Sequence, residues 1–184
     1  NRLLRKIDSK ELDRITKVLK NTIKQKKTLF VCGNGGSAAI ANHFLCDYAK
    51  YVATNTNIKP RIISLSSNIE ILTAIANDIG YNKSFSYQLD NLGNPGDVLL
   101  VISSSGNSPN IINTIKLAKK KKIKTIALTG FKGGHAHKLS DYKLNFSISN
   151  YGISEDSHHI LMHVVCQFIR LSEMSKKTIQ KSKF

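Results

Sequence analysis

Four groups of residues have side chains whose types and spacing suit chemistry. Gly33-Asn34-Gly35-Gly36-Ser37 follows an apolar run and precedes a helical pattern. Glycines there permit positive φ and a close approach of backbone to a ligand, and the free N–H groups of a helix start suit an oxygen-rich partner. The stretch fits a plain tight turn equally well. It is not a dinucleotide fingerprint, because the G-x-G-x-x-G spacing is absent, nor a P-loop, because no Gly-Lys-Ser/Thr follows. The second group, Ser103-Ser104-Ser105-Gly106-Asn107-Ser108, puts four hydroxyls in one loop between an apolar run and a helix. Hydroxyls, free N–H groups and the helix dipole together suit a phosphate dianion. One capping serine would leave the other three without a purpose, so phosphate is the preferred reading over a merely Ser-rich loop.

The third group is spread over two helical patterns. His43 and Asp47 stand four apart, and Glu155, His159 and His163 repeat that spacing, with His158 beside them. Residues four apart share a helix face. A lone helical His is usually structural, but two helices that each offer a carboxylate and an imidazole can clamp a divalent metal, zinc by the His content, or do acid–base work. By spacing alone, His158 and His159 qualify as ligands as well as His163. The fourth group, Asn77-Asp78, either ends a helix or presents polar groups to a polyol.

The elements that must position these groups alternate. Apolar residues from Leu3 to Ile23 step by three and four, which predicts a helix over 3–26. Short apolar strands are predicted at 28–32, 61–65, 98–102, 123–129 and 143–148. Helices are predicted at 37–50, 68–77, 82–92, from Ser108-Pro109 onward with Ser108 as N-cap, near 135–140, and over 154–174. Strands apolar on both faces, alternating with helices, indicate an α/β three-layer sandwich with a mostly parallel sheet, and ligands then sit beyond the carboxyl ends of the strands.

The 184 residues carry 28 Lys and Arg against 12 Asp and Glu, a formal charge of +16, with 41% hydrophobic residues. That length and apolar content predict one domain with a real core. No run approaches the ~20 apolar residues of a membrane span, and no signal segment opens the chain. Cys32, Cys46 and Cys166 are odd in number and lie in apolar runs, which predicts reduced core thiols in a cytoplasmic protein. The lysines are scattered. Their densest run, Lys119 to Lys122 with Lys124, lacks interleaved aromatics and reads as a solvated helix end, so nucleic acid is not the expected partner. Lys176 to Lys183 reads as a frayed basic tail.

Together the stretches CGNGGSAAIANHF (32–44), LTAIANDIGY (72–81), PGDVLLVISSSGNSPNI (95–111) and IALTGFKGG (126–134), with the His-rich last helix up to Cys166, resemble the sugar isomerase (SIS) domain, and most closely the phosphoheptose isomerases. The resemblance implies a five-stranded parallel sheet over 27–175, with an N-terminal helix (1–26) packed on it or on the oligomer and a basic tail (176–184). It also implies a cytoplasmic homotetramer with shared active sites. Its activity would be the ketose–aldose isomerisation of sedoheptulose 7-phosphate to D-glycero-D-manno-heptose 7-phosphate, in heptose and lipopolysaccharide precursor synthesis. By position, Asn34, Gly35 and Gly36 would contact the sugar, Asn77 and Asp78 its hydroxyls, and Ser103, Ser104, Ser105 and Ser108 the phosphate. His43 and His163 match the family's metal-binding histidines. The family usually has Glu where Asp47 stands, Gln where Glu155 stands, and an Arg near Ile153 and Ser154. The candidate substrate ligands therefore include Asp47 and Glu155, and the candidate zinc ligands are His43, Asp47, Glu155 and His163. Isomerisation through an enediol needs a base, Asp47 or failing that Glu155, and a proton relay at the oxygens, His163. A bound metal would polarise the carbonyl instead. The rival reading is a non-catalytic binding protein resembling the DnaA initiator-associating protein, which has no need of His43 and His163 together.

Overall fold

The computed structural model describes residues 7–182. Five parallel strands, β1 (Thr28–Gly33), β2 (Arg61–Ser64), β3 (Val98–Ser103), β4 (Lys124–Thr129) and β5 (Tyr142–Asn145), form one sheet in the order β2-β1-β3-β4-β5. Registers such as Leu29 with Val98 and Leu100 with Ile126 are continuous across the centre. All six residues of β1 and all six of β3 are buried, as expected of strands covered on both faces.

Alternate side chains of each strand feed two separate cores. Leu29, Val31, Leu100 and Ile102 point to one face and meet α1 (Ser9–Lys24), α2 (Gly36–Cys46) and α7 (Tyr151–Ser172) through Leu19, Phe44, Leu161 and Ile169. Phe30, Cys32, Leu99 and Val101 point to the other face. There they meet α4 (Ser84–Leu92), α5 (Pro109–Lys120) and α6 (Gly134–Leu139) through Phe85, Leu89, Ile111, Ile115 and Ala136. Leu72 of α3 (Ile69–Ile75) packs at the edge of this second core. This is the expected α/β three-layer sandwich, with the N-terminal helix joined to its core.

Helix ends follow local chemistry. Asp8 caps α1 through Lys10 and Glu11 N–H groups, Asn68 caps α3 through Ile71, and Asn150 caps α7 through Ile153. That last cap starts α7 three residues earlier than the apolar spacing predicts. The predicted helix over 37–50 is α2 followed by a π-helical turn, Asp47–Val52. The tail is not frayed throughout: Ser175 accepts a hydrogen bond from the Thr178 N–H and starts α8 (Lys176–Lys181). Residues 3–6 of the predicted first helix lie outside the described residues. Cys32 and Cys166 are buried as expected, and burial pushes the Cys166 thiol up to about 12, but Cys46 is exposed. The Lys119 ammonium meets the Leu139 carbonyl and Asp141, and Lys121 pairs with Asp90, so the basic run is a helix end facing carbonyl and carboxylate oxygens. Among the described residues no helix is long and apolar enough to cross a membrane.

Asp141 clamps β4 to the chain entering β5. Its carboxylate accepts from the Thr125 N–H (2.9 Å) and hydroxyl (2.8 Å), and its own N–H donates back to Thr125 Oγ1 (3.0 Å). Desolvation raises its pKa, but the Thr125 hydrogen bonds and Lys119 outweigh that, so the net value lies below the usual one. A depressed carboxylate contributes stability above its unfolded pKa, and this is lost as pH falls through the folded value. Asp141→Ala is expected to cost about 1–2 kcal/mol near neutral pH and to flatten the acid limb of the stability profile, read from urea midpoints between pH 7 and pH 3.

Candidate active site

Strand order reverses between β1 and β3, where the chain leaves one strand toward α2 and the other toward α5. Such a switch point opens a crevice at the carboxyl ends of the strands. The Gly33–Ser37 and Ser103–Ser108 loops flank it, since Gly33 pairs with Ile102 at the sheet's upper edge. The first loop is tied down on both sides. Ser66 Oγ donates to the Gly33 carbonyl (2.9 Å) and accepts from its N–H (3.1 Å). Asn34 exchanges two amide hydrogen bonds with buried Asn110 of α5 (3.0 and 2.9 Å), and the Tyr81 hydroxyl donates to Asn34 Oδ1 (2.8 Å). Gly35, at φ +54°, has no atom within 4 Å of where a Cβ would sit. The backbone here faces open space.

The serine loop is a buried bed with unspent donors. Ser103 and Ser104 are buried, and Ser104 Oγ has no hydrogen-bond partner among the described residues. Ser103 Oγ accepts from the Gly106 N–H (3.2 Å) and Ser105 Oγ from the Asn107 N–H (3.3 Å). Ser108 occupies the N-cap of α5 with Pro109 behind it, as expected, but its hydroxyl makes no capping bond. Neighbouring loops hold the bed in shape: the Gly106 carbonyl accepts from Ala136 (2.8 Å), the Ser104 carbonyl from Gly130 (2.9 Å), and Asn107 Oδ1 lies 2.9 Å from His135 Nδ1.

Helix α7 spans the other side. At its start Ser154 packs on Gly130, where an added Cβ would lie 2.1 Å from the serine Oγ and 3.1 Å from the Ser104 carbonyl. Glu155 lies over Gly36, where an added Cβ would lie 2.2 Å from its Oε2. Further along, His159 and His163 meet α2. His163 Nε2 lies 3.1 Å from His43 Nε2, and the Asp47 carboxylate reaches both, 3.4 Å from His43 and 3.5 Å from His163. The three imidazole centroids, His43, His159 and His163, are 4.6 to 5.0 Å apart, and one nitrogen from each lies within 4.8 Å of the others. His159 Nε2 is buried without a hydrogen-bond partner among the described residues. Desolvation first, then the imidazoles of His163 and His43, hold its pKa below the usual value against a smaller pull from Asp47 and Asp156. Several crowded nitrogen lone pairs beside a carboxylate, one of them buried and unanswered, fit a divalent cation of borderline softness.

The structure thus brings together His43, Asp47 and His163, and separately gathers Asn34, Gly35 and Gly36 with Glu155, and the four serines with each other. Asn77 and Asp78 are exposed and bond each other (2.8 Å), while Tyr81 of the same segment is the residue that reaches Asn34. Of the three clustered histidine positions on α7, His158 is not at the cleft. It is buried with its ring edge to Phe146, and burial pushes its pKa down to about 4 against a smaller opposing pull from the Thr129 backbone. Sequence reasoning did not single out Asn110, Tyr81 or Ser154. Asn110 alone carried a signal, as an amide just inside a helix that opens from the serine loop.

The profile of the SIS domain matches residues 1–130, and the chain belongs to the SIS-domain family. It is 38% identical over 158 residues to the phosphoheptose isomerase of Aliarcobacter butzleri, covering 86% of this chain and 83% of that protein. It is 40% identical over 152 residues to a probable phosphoheptose isomerase of Thermoplasma acidophilum, covering 82% of each. The solved phosphoheptose isomerase of Neisseria gonorrhoeae superposes with a TM-score of 0.81 at 32% identity, over 88% of this chain and 85% of that one. Within the family, the chain is a phosphosugar isomerase enzyme of the phosphoheptose isomerase group. These relatives give no support to the reading as a non-catalytic initiator-associating protein.

Proposed function

We propose that the enzyme converts sedoheptulose 7-phosphate to D-glycero-D-manno-heptose 7-phosphate through an enediol, in the cytoplasm, as a step toward heptose-containing lipopolysaccharide precursors. The observation that carries this reading is the meeting of His43, Asp47 and His163 on two helices, one of which also borders the serine loop. The serine loop takes the phosphate: Ser103, Ser104, Ser105 and Ser108 supply hydroxyls, and α5 supplies N–H groups and the positive end of its dipole. Binding energy from that remote end orients the sugar and is available to lower the barrier at the reacting carbons. Asn34, Gly35 and Gly36 contact the sugar near its carbonyl, and Asn77 and Asp78 take its outer hydroxyls. A carboxylate, Asp47 or Glu155, moves the proton between C1 and C2. His163 serves the sugar oxygens, as a proton relay or as a holder of the ion.

The residues that would hold zinc are His43, Asp47, Glu155 and His163, with His159 beside them. When bound, the ion polarises the ketose carbonyl and steadies negative charge on its oxygen. We read the assembly as a homotetramer. Ile160, Val164 and Phe168, four residues apart on α7, are exposed apolar side chains that a second copy of the chain would cover.

Purified enzyme given sedoheptulose 7-phosphate is expected to produce the aldose 7-phosphate, seen by NMR through its anomeric signals. Turnover is expected to fall on chelation and return with Zn²⁺. Binding of the phosphosugar with no aldose formed, in zinc-loaded enzyme, would overturn the assignment.

A further inference from the structure

The lysines at the end of α5 divide into two sets. Lys119 meets the Leu139 carbonyl and Asp141, and the Lys121 ammonium holds the Asp90 carboxylate. Lys116 and Lys120, one turn apart, have no hydrogen bond or ion pair among the described residues, and neither has Lys83. These three lysines line one groove of about 430 Å³ between α4 and α5. We propose that the groove is a second ligand site, for a nucleoside diphosphate, coupled to the Gly33–Ser37 loop through the 3-10 turn Tyr81–Lys83.

Charge, size and lining point to that ligand class. Asp90 is the groove's single carboxylate, and Lys121 already neutralises it, so three ammonium groups stand uncompensated around one concavity. A cleft of one sign concentrates the opposite ion, and lysines hold phosphate oxygens as point charges. The volume falls in the range of small-molecule sites. The rest of the wall is apolar: Ile79 and Tyr87 are about half exposed, and Leu117 lies beside them. A phosphosugar, hydroxylated all round, would leave that wall wet. A nucleotide brings an aromatic base to the Tyr87 side, and its diphosphate carries about three negative charges near neutral pH to meet the three lysines. None of the residues that build the cleft lines this groove.

One short turn joins groove and cleft. Lys83 lines the groove, and the Asn82 carbonyl accepts a hydrogen bond from the groove's Asn113 amide (2.9 Å). On the other side the Tyr81 hydroxyl donates to Asn34 Oδ1 (2.8 Å). Asn110 of α5 bonds both Asn34 and the Ser84 hydroxyl that follows the turn (3.2 Å). A diphosphate drawn to Lys83, Lys116 and Lys120 ties the turn to α5 and so holds Tyr81 against Asn34. Coupling of this kind is reciprocal: what tightens the loop from the groove also changes the affinity for a ligand on the loop.

Calorimetric titration of the full chain with ADP and with GDP reads the site without reference to turnover. One nucleotide per chain is expected, bound more weakly as salt rises. Lys116→Ala combined with Lys120→Ala is expected to weaken binding at least about 10-fold, and Tyr87→Ala about 5- to 10-fold. Lys119→Ala, whose ammonium faces other oxygens, is expected to change it less than about twofold. All four side chains are exposed, and circular dichroism confirms that the variants fold. Inorganic pyrophosphate is expected to bind at least about 10-fold more weakly than either nucleotide. No nucleotide bound at about 1 mM, or unchanged affinity in the double variant, overturns the site. Pyrophosphate held as tightly as ADP overturns the nucleotide as its ligand. The coupling rests on the isomerase reading: saturating nucleotide is expected to shift KM for sedoheptulose 7-phosphate at least about threefold, and not in the double variant. An unchanged KM overturns the coupling. Nucleotide bound by an enzyme that makes no aldose sinks the isomerase reading and leaves the groove site standing.

Discussion

Turnover of sedoheptulose 7-phosphate is expected to fall roughly 10³–10⁴-fold when His163 is replaced by glutamine, with KM changed only a few-fold. His163 Nε2 is 3.1 Å from His43 and 3.5 Å from Asp47, so this ring is shared by every route the site offers. Glutamine is of similar length and can donate a hydrogen bond, but it neither takes up a proton nor offers a nitrogen lone pair. Proton relay and ion holding are lost together. The phosphate contacts proposed above are on the serine loop, a different element, which is why KM is expected to change little. Asp47→Asn removes the charge that faces both imidazoles and is expected to lose about 10²-fold or more. Near-normal kcat in both variants, measured with zinc present, would reject the placement of chemistry at this junction.

Gly106→Ala is expected to destabilise the fold by about 3 kcal/mol or more, lowering Tm by roughly 6–12 °C for a chain of this size. Gly106 has φ +66°, and a Cβ there would lie 2.0 Å from the Gly133 carbonyl oxygen and 2.7 Å from its carbon. Both obstacles are backbone, so no side-chain rotation relieves them. Gly133 cannot simply retreat, because the adjacent segment is pinned by the Ala136 N–H bond to the Gly106 carbonyl. The natural control is Gly35→Ala. Its φ is also positive, at +54°, but nothing lies within 4 Å, so only the backbone cost of about 1 kcal/mol is expected. Equal loss in the two variants, by thermal or urea unfolding, would show that close approach of the two loops is not what Gly106 provides.

The sheet was readable because buried parallel strands leave unbroken apolar runs, as Val98 to Ile102 does, and the loops announced themselves by glycine and serine at strand ends. The His43–Asp47 pair was readable from its spacing of four. What spacing could not decide was which ring of α7 would meet it. His158, His159 and His163 fall within two turns, and the rotation of the helix about its axis selects among them. That rotation is set by the packing of Leu161, Met162, Val165 and Ile169 against the sheet, which turns His158 inward toward Phe146 and leaves the other two toward α2. The roles of Tyr81 and Asn110 were equally hidden, because they depend on how the segment before α4 folds over the first glycine loop. The π-helical turn at Asp47 leaves no mark in apolar spacing.

His43 and His163 touch across 120 residues of chain. During synthesis, the Gly33–Ser37 and Ser103–Ser108 loops are complete long before α7 leaves the ribosome. An unfinished chain lacks the helix that brings His159 and His163 to His43. Docking of that last long helix is therefore also the moment at which the histidine junction with α2 forms.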